Sequence, residues 1–266
     1  YLILMQMRVE MLDKKIIDAV LIATPHFNHT PVAVKAFERG IHVLCEKPVG
    51  VHINDINKMI QAHKKSDVKF AAMFQLRIHP VWKKVKQLMQ ANEIGQIMRT
   101  NWITTDWFRS QIYYDAGKWR ATWAGEGGGV LLNQCPHHLD LFQWLCGMPS
   151  KLRAYCHIGK HHHIEVEDEV TAYLEYPNGA TGVFIASTGE APGTNRLEIT
   201  GELGKIIIEK DCITLFQKNS VSVKKYIMET DQKFTPPDVQ NISVCVETEN
   251  PEQKGVVINF INSILN

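Results

Sequence analysis

Two periodicities divide the chain. Up to about residue 78, short continuous apolar runs alternate with stretches of helical spacing; from Ile94 onward, apolar residues recur at every second position. Tyr1–Met11 reads as apolar and partly helical. Lys14–Thr24 carries a continuous apolar run stopped by Pro25, the pattern of a strand buried on both faces of a parallel sheet. Thr30–Arg39 sets Val32, Val34, Ala36 and Phe37 at helical spacing, with Thr30 as N-cap, Pro31 in the first turn and Gly40 past the end. Ile41–Cys45 and Val68–Phe74 read as two further strands. Between them a helix over Asn54–Lys65 groups Ile53, Ile56, Met59, Ile60 and His63 on one face. Strands and helices alternating through short loops predict a doubly wound parallel sheet.

Pro80 marks a change of regime. Val81–Ala91 is an amphipathic helix with Val81, Val85, Leu88 and Met89 inward. Strands of period two follow at Ile97–Thr105, Lys151–His157, Glu165–Tyr176, Thr181–Ser187, Arg196–Thr200, Lys205–Glu209, Ile213–Gln217 and Val221–Ile227. Tyr176-Pro177-Asn178-Gly179 is the strongest hairpin signal, and Gly189–Gly193 and Gly201–Gly204 mark other turns. Pro236-Pro237 and Glu247–Lys254 are loops, and Gly255–Asn266 begins a last helix. The expected fold class is α/β: residues 1–78 form a doubly wound parallel domain, and residues 79–266 an α+β domain with a large open mixed or antiparallel sheet.

One helical stretch interrupts the strands. Gly127-Gly128-Gly129 allows a close backbone approach or a sharp turn. After it, Leu132, Leu139, Phe142 and Leu145 form an apolar stripe that ends at Gly147. Asn133, His137, Asp140 and Trp144 form a polar stripe beside it. Pro136 belongs at a first turn or a bend. A buried helix with one satisfied histidine also accounts for this pattern.

Composition removes several classes of function. The 266 residues are 45% hydrophobic, enough for one or two domains with a large core. Lys plus Arg is 29 against 28 acidic residues, a net charge of +1, so no basic excess points to nucleic acid or a membrane surface. No apolar run is long enough to span a bilayer. Cys45, Cys135, Cys146, Cys156, Cys212 and Cys245 are scattered without metal-ligand spacing, as free core thiols of a reducing, intracellular compartment are.

Three predicted strands of the first region end in polar residues where a scaffold needs only turns. These are Thr24-Pro25-His26-Phe27-Asn28-His29, Glu46-Lys47-Pro48 and Gln75-Leu76-Arg77-Ile78-His79-Pro80. Doubly wound sheets bind ligands at such ends. A partly desolvated Lys47 orients a hydroxyl and stabilises developing oxygen charge, and a histidine takes the proton. That pair, with a nicotinamide as hydride carrier, is what alcohol oxidation requires; a solvated loop lysine is the plainer account of Lys47. Trp107–Trp123 gathers three tryptophans, two tyrosines and two arginines, which suits a polyhydroxylated ligand or a subunit interface equally. Gly125-Glu126-Gly127-Gly128-Gly129 follows no strand of a βαβ unit and is a weak phosphate-loop signal. His161-His162-His163 reads as a surface loop, and His137, His138 and Asp140 cannot all converge from one helix onto a metal.

Taken in order, Ala23-Thr24-Pro25 with His29, His42-Val43-Leu44-Cys45-Glu46-Lys47-Pro48, Gln75 with Arg77 and Pro80, Glu93-Ile94-Gly95, and the three glycines followed by Asn133, His137, Asp140 and Gly147 resemble the glucose–fructose oxidoreductase / inositol dehydrogenase (Gfo/Idh/MocA) family. The resemblance spans nearly the whole chain. It implies a Rossmann domain followed by an open-sheet α/β domain, NAD or NADP as cofactor, and a sugar, cyclitol or related polyol as substrate. Lys47 matches the family's catalytic lysine and His137 its proton-transferring histidine. Cofactor contacts are implied for Thr24, Pro25, His26, His29, Glu46, Lys47, Gln75 and Arg77, and for the Trp119-Arg120 pair near the nicotinamide. Arg109, Tyr114, Asn133 and His137 are implied for the substrate, with Asn133 orienting it beside the catalytic pair. A homodimer or homotetramer through the open sheet is implied, with no nucleic-acid or membrane partner and no metal. The family's opening strand, Gly-rich dinucleotide loop and ribose-selecting residue have no counterpart in these residues. Asn133 stands where many relatives carry aspartate. These two departures motivate the alternative, a non-catalytic ligand-sensing protein on the same fold.

Overall fold

The computed structural model describes residues 10–14, 16–246 and 249–266, so most of the Tyr1–Met11 reading lies outside the described residues. Strands β1 (Ala19–Ile22), β2 (His42–Cys45) and β3 (Phe70–Ala72) form a parallel sheet in chain order. Parallel neighbours need crossover connections. Helices α1 (His29–Phe37) and α2 (Ile53–Lys64) supply them. Side chains alternate across a strand, so Val43 and Cys45 face α1 and α2 with Ala33, Phe37 and Met59, while Leu44 faces the other way. There Leu44 and Met73 meet Val256 and Phe260 of the last helix in the chain (Glu252–Leu265), which returns to the first sheet.

Local details depart from expectation for identifiable reasons. Helix α1 begins one residue before Thr30 because a 3-10 turn at His26–Asn28 runs directly into it; Asn28 is the N-cap and makes no side-chain cap bond. Gly40 does end the helix region, at φ +72°. On α2 only Met59 of the five expected residues is buried, and Ile53 is 68% exposed, because packing against α1 covers one narrow side. Strand β1 is an edge among the described strands, and Leu21 is half exposed rather than covered on both faces.

Helix α3 (Pro80–Gln90) opens with Pro80 in its first turn and leads into the second layer. Its eight-stranded sheet uses β4 (Ile97–Thr104), β5 (Lys151–Ile158), β6 (Glu167–Glu175), β7 (Thr181–Ser187), β8 (Asn195–Gly201), β9 (Gly204–Glu209), β10 (Cys212–Asn219) and β11 (Val239–Asn241), in the order β11-β10-β9-β8-β4-β7-β6-β5. Only β4 and β7 run parallel. The Tyr176–Gly179 turn joins β6 to β7 as expected, with Gly179 at φ +84°. Trp102, fully buried, is the hub of the core. It meets Trp82, His138, Phe142 and Phe184 at ring separations of 5.5, 5.1, 5.7 and 6.4 Å. Every residue of β5 is exposed.

Val221–Ile227, expected as a strand, is instead part of helix α7 (Val223–Glu229). The place beside β10 that it would occupy is taken by β11. With no sheet partner and no buried residue, the segment turns its backbone bonds into the helix, apart from the Val223 amide that donates to the Glu202 carbonyl, and adds a Lys225–Glu229 pair one turn apart. Cys45 and Cys135 are buried as expected, whereas Cys156, Cys212 and Cys245 are exposed. Among the described residues no helix is long and apolar enough to cross a membrane.

Candidate active site

The ends of β1 and β2 open into a cleft of about 300 Å³ lined by Ala23, Thr24, Pro25, His26, His29, Glu46, Lys47 and Trp119. His29, almost fully buried, ties the two strand ends together: Nδ1 lies 2.6 Å from the Pro48 carbonyl and Nε2 2.7 Å from the Thr24 carbonyl.

The glycine stretch reaches this cleft from the second layer. A Cβ on Gly129 would lie 1.9 Å from the Glu167 carbonyl oxygen, and one on Gly127 2.3 Å from Val51 Cγ1, so the backbone passes where no side chain fits. Glu167 on β6 accepts from the Gly129 and Leu131 amides and holds the start of helix α5 (Val130–Asn133). Helix α6 (Pro136–Cys146) then starts afresh with Pro136 in its first turn. The polar stripe is therefore split. Asn133 ends one helix, and His137, Asp140 and Trp144 lie on the next. On the apolar side Phe142 and Leu145 are buried as expected; Leu139 is partly exposed and Leu141 takes its place inside.

Lys47 Nζ donates to the Asn133 backbone carbonyl at 2.5 Å. Burial pulls the Lys47 pKa down, and the Glu46 and Glu126 carboxylates oppose that shift. His137 is buried beside it, with its pKa lowered to about 4 first by burial and then by the Lys47 charge. Its Nε2 sits 3.4 Å from the Gln75 amide nitrogen, while its Nδ1 is buried with no partner among the described residues. Thr24 Oγ1 and Gln75 Oε1 are also buried and unpartnered among the described residues. Unmet polar atoms of this kind call for a ligand that satisfies them. Thr24 lines the cleft and Gln75 follows the end of β3, and their unmet atoms fit the nicotinamide dinucleotide that the sequence implies.

Glu126 was not singled out from sequence. It is 2% exposed and lies at the centre of the site. One carboxylate oxygen accepts from the Ala121 amide at 2.6 Å; the other accepts from Asn133 Nδ2 and faces Arg120 Nη1 at 4.0 Å. Its backbone carbonyl lies 3.1 Å from Nδ1 of His26. Burial raises the Glu126 pKa and lowers that of His26 to about 4. An acidic residue enclosed by glycines was the available signal, but its burial is a tertiary property.

Trp119 and Arg120 stay at the cleft: the guanidinium stacks 4.5 Å from the Trp119 ring and 4.7 Å from Tyr113, and Trp119 meets His26 edge-on. Arg109 stacks on Tyr113 at 4.9 Å and on Trp107. Tyr114, on the short helix α4 (Gln111–Asp115), donates its hydroxyl to Thr188, next to His162. Arg77 is engaged by Asp140 through two bonds of 2.6 and 2.7 Å. The expectation of a surface loop at His161–His163 needs correction for His162. That ring is buried between the Asp168 carboxylate (2.9 Å) and the Arg109 carbonyl (2.9 Å), because Asp168 also gathers the Lys160, His161 and His162 amides. No cluster of three or more potential metal ligands occurs among the described residues.

A parallel strand–helix layer with its cleft at the strand ends, joined to a large open sheet whose helix α6 carries a buried histidine toward a half-buried lysine, has the architecture of a nucleotide-dependent oxidoreductase. Residues 5–74 match the model of an oxidoreductase family with an NAD-binding Rossmann fold, and residues 82–207 match the GFO/IDH/MocA C-terminal domain. The chain belongs to the Gfo/Idh/MocA family. It is 25% identical over 232 residues to Oxidoreductase P35 of Formosa agariphila, covering 86% of this chain and 71% of that one. It is 27% identical over 209 residues to scyllo-inositol 2-dehydrogenase (NAD(+)) of Bacillus subtilis, covering 75% of this chain and 57% of the relative. The structure of the WlbA dehydrogenase of Bordetella pertussis in complex with NADH and UDP-GlcNAcA superposes with a TM-score of 0.72 at 29% identity, covering 78% of this chain and 60% of that one. The chain thus spans less than two thirds of the latter two.

Proposed function

We propose that this protein is an NAD(P)-dependent dehydrogenase that transfers a hydride between the nicotinamide and a CH–OH carbon of a sugar, cyclitol or related polyol. The observation that carries this reading is the pairing of a partly desolvated Lys47 with a buried, neutral His137 at the ends of the first sheet's strands. The bound nicotinamide supplies the hydride acceptor. Thr24, Pro25, His26, His29, Glu46, Lys47, Gln75, Arg77, Trp119 and Arg120 are its proposed surroundings. In the oxidative direction the Lys47 ammonium orients the substrate hydroxyl and stabilises the oxygen as it loses its proton. Neutral His137 takes that proton, and Asn133 orients the neighbouring part of the substrate. Arg109 and Tyr114 bind the far side of the ligand. The relatives named above, one acting on scyllo-inositol and one holding UDP-GlcNAcA with NADH, support a hydroxylated carbocycle or sugar as substrate.

Titration of the protein with NADH and NADPH, followed by a panel of sugars and cyclitols, tests the proposal. Saturable binding with turnover that disappears in Lys47→Ala supports it. Ligand binding without turnover by the wild type supports instead the ligand-sensing reading, which the uncharged Asn133 motivates. We also infer a homodimer or homotetramer in the cytoplasm. The exposed apolar residues of β5, including Leu152, Tyr155 and Ile158, favour self-association, and sedimentation velocity reads its size.

A further inference from the structure

We propose that Glu126 is the positioning residue of this site: its buried carboxylate locks the Asn133 amide with Oδ1 turned to the ligand and sets a negative charge beside the Lys47 ammonium. The inference rests on the dehydrogenase reading for its kinetic arm only.

The geometry leaves little freedom. An asparagine amide has a donor end and an acceptor end, and nothing intrinsic decides which end faces a ligand. A carboxylate only accepts. Glu126 Oε1 therefore selects the Nδ2 end of Asn133, while Oε2 is held by the Ala121 amide at 2.6 Å so that the carboxylate cannot turn away. Asn133 Oδ1 then takes no hydrogen bond from any described residue and can accept from a substrate hydroxyl. The same helix end meets Lys47, whose Nζ binds the Asn133 carbonyl. Glu126 thus fixes the residue that anchors the lysine and also favours the lysine's cation directly. Among the described residues, Arg120, Lys47 and His26 face Glu126, and Glu46, Glu126, Cys135, Arg120, His26 and His137 face Lys47. Of the groups facing Lys47, Glu126 is the carboxylate that also bonds Asn133.

Glu126→Gln, Asn133→Asp and the double variant separate this from a packing role. A glutamine at 126 offers a donor and an acceptor, so the Asn133 amide loses its fixed sense; an aspartate at 133 sets two carboxylates side by side. The double variant restores one acceptor-only group and one charge. Each single change is expected to lower kcat/KM by about 30-fold, with NADH affinity within about 3-fold of wild type, and the double variant to recover to within about 5-fold. The alkaline limb of kcat/KM moves to lower pH in Glu126→Gln and returns in the double variant. A double variant no better than the product of the two singles overturns the proposal.

NMR titration of 13C-methylated lysines reads the Lys47 midpoint without any substrate. It is expected to fall in Glu126→Gln, and an unchanged midpoint overturns the proposal whether or not a substrate has been found. If Glu126→Gln does not fold, the wild type decides. The Asn133 side-chain amide proton should resonate far downfield and lose that shift when Glu126 is protonated by acid; an ordinary, pH-independent shift overturns the assignment. Absence of turnover in the wild type removes the dehydrogenase reading and leaves these two NMR results standing.

Discussion

The ammonium of Lys47 and the backbone carbonyl of Asn133, 86 positions apart in the chain, meet at 2.5 Å. The contact joins the end of β2 to the end of α5, one from each layer. Arg77 and Asp140 make a second connection between the layers through two short bonds. The site is therefore assembled only when the layers are docked, and its chemistry depends on that docking.

Replacing Lys47 should separate binding from chemistry. Lys47→Ala removes the cation that stabilises the reacting oxygen but leaves Thr24, Pro25 and Trp119 around the cleft. Turnover is expected to fall by more than about 100-fold while NADH affinity changes by less than about 10-fold. Steady-state kinetics with a fluorescence titration of NADH checks both. Wild-type-like turnover means that Lys47 only ties Asn133 in place.

His137 sets the acid limit of the oxidation. The neutral ring is the base, and burial together with Lys47 lowers its pKa to about 4. The active form is thus present above that value. In a kcat/KM profile the acid limb is expected near pH 4, with no break near 6.5 where an unperturbed histidine titrates. His137→Asn should lower turnover by about 100-fold and abolish the limb. A limb close to 6.5 in the wild type means that a different group accepts the proton.

What the sequence made legible was local. Thr181–Ser187 and the Tyr176–Gly179 turn follow from period-two patterning and turn chemistry confined to a few residues. Lys47 and His137 were identifiable as candidates from motif order, though the 2.5 Å approach of Lys47 to Asn133 was not. Val221–Ile227 fits a strand pattern as well as a helix, and a distant segment, β11, decided the outcome by taking the sheet edge. The return of the last helix onto Leu44 and Met73 depends on contacts that span most of the chain. Glu126 stayed hidden because an acidic residue among glycines looks solvated until the fold encloses it.

Buried histidines should also make stability depend on pH. His138 is enclosed by Trp102 and Trp107, and burial lowers its pKa to about 4; His137 and His26 behave alike. Unfolded, these rings bind protons below about 6.5. Between about 4 and 6.5 the unfolded state therefore holds more protons than the folded one, and stability rises with pH. The contribution is complete above 6.5 and lost as pH falls toward 4. Melts at pH 7.5, 6.0 and 5.0 should show a falling Tm, and His138→Leu should have a shallower slope than the wild type. Equal slopes mean that His138 does not stay neutral.

Two glycine-to-alanine changes should differ in kind. Gly40 follows α1 at φ +72°, and nothing lies within 4 Å of the place a methyl group would take, so Gly40→Ala carries only the backbone cost of about 1 kcal/mol. Gly129 has an ordinary negative φ of −109°, but its methyl would lie 1.9 Å from the Glu167 carbonyl oxygen on β6. That clash can be relieved only by moving α5 off β6, which strains the Gly129 and Leu131 amide bonds to Glu167. Gly129→Ala should cost about 2–3 kcal/mol in urea denaturation. Because α5 carries Asn133, and Asn133 carries the Lys47 contact, Gly129→Ala should also lower turnover of the folded fraction, whereas Gly40→Ala should leave it unchanged. Equal stability losses with unaltered turnover in both variants mean that the glycines serve chain flexibility rather than the close approach that seats Asn133.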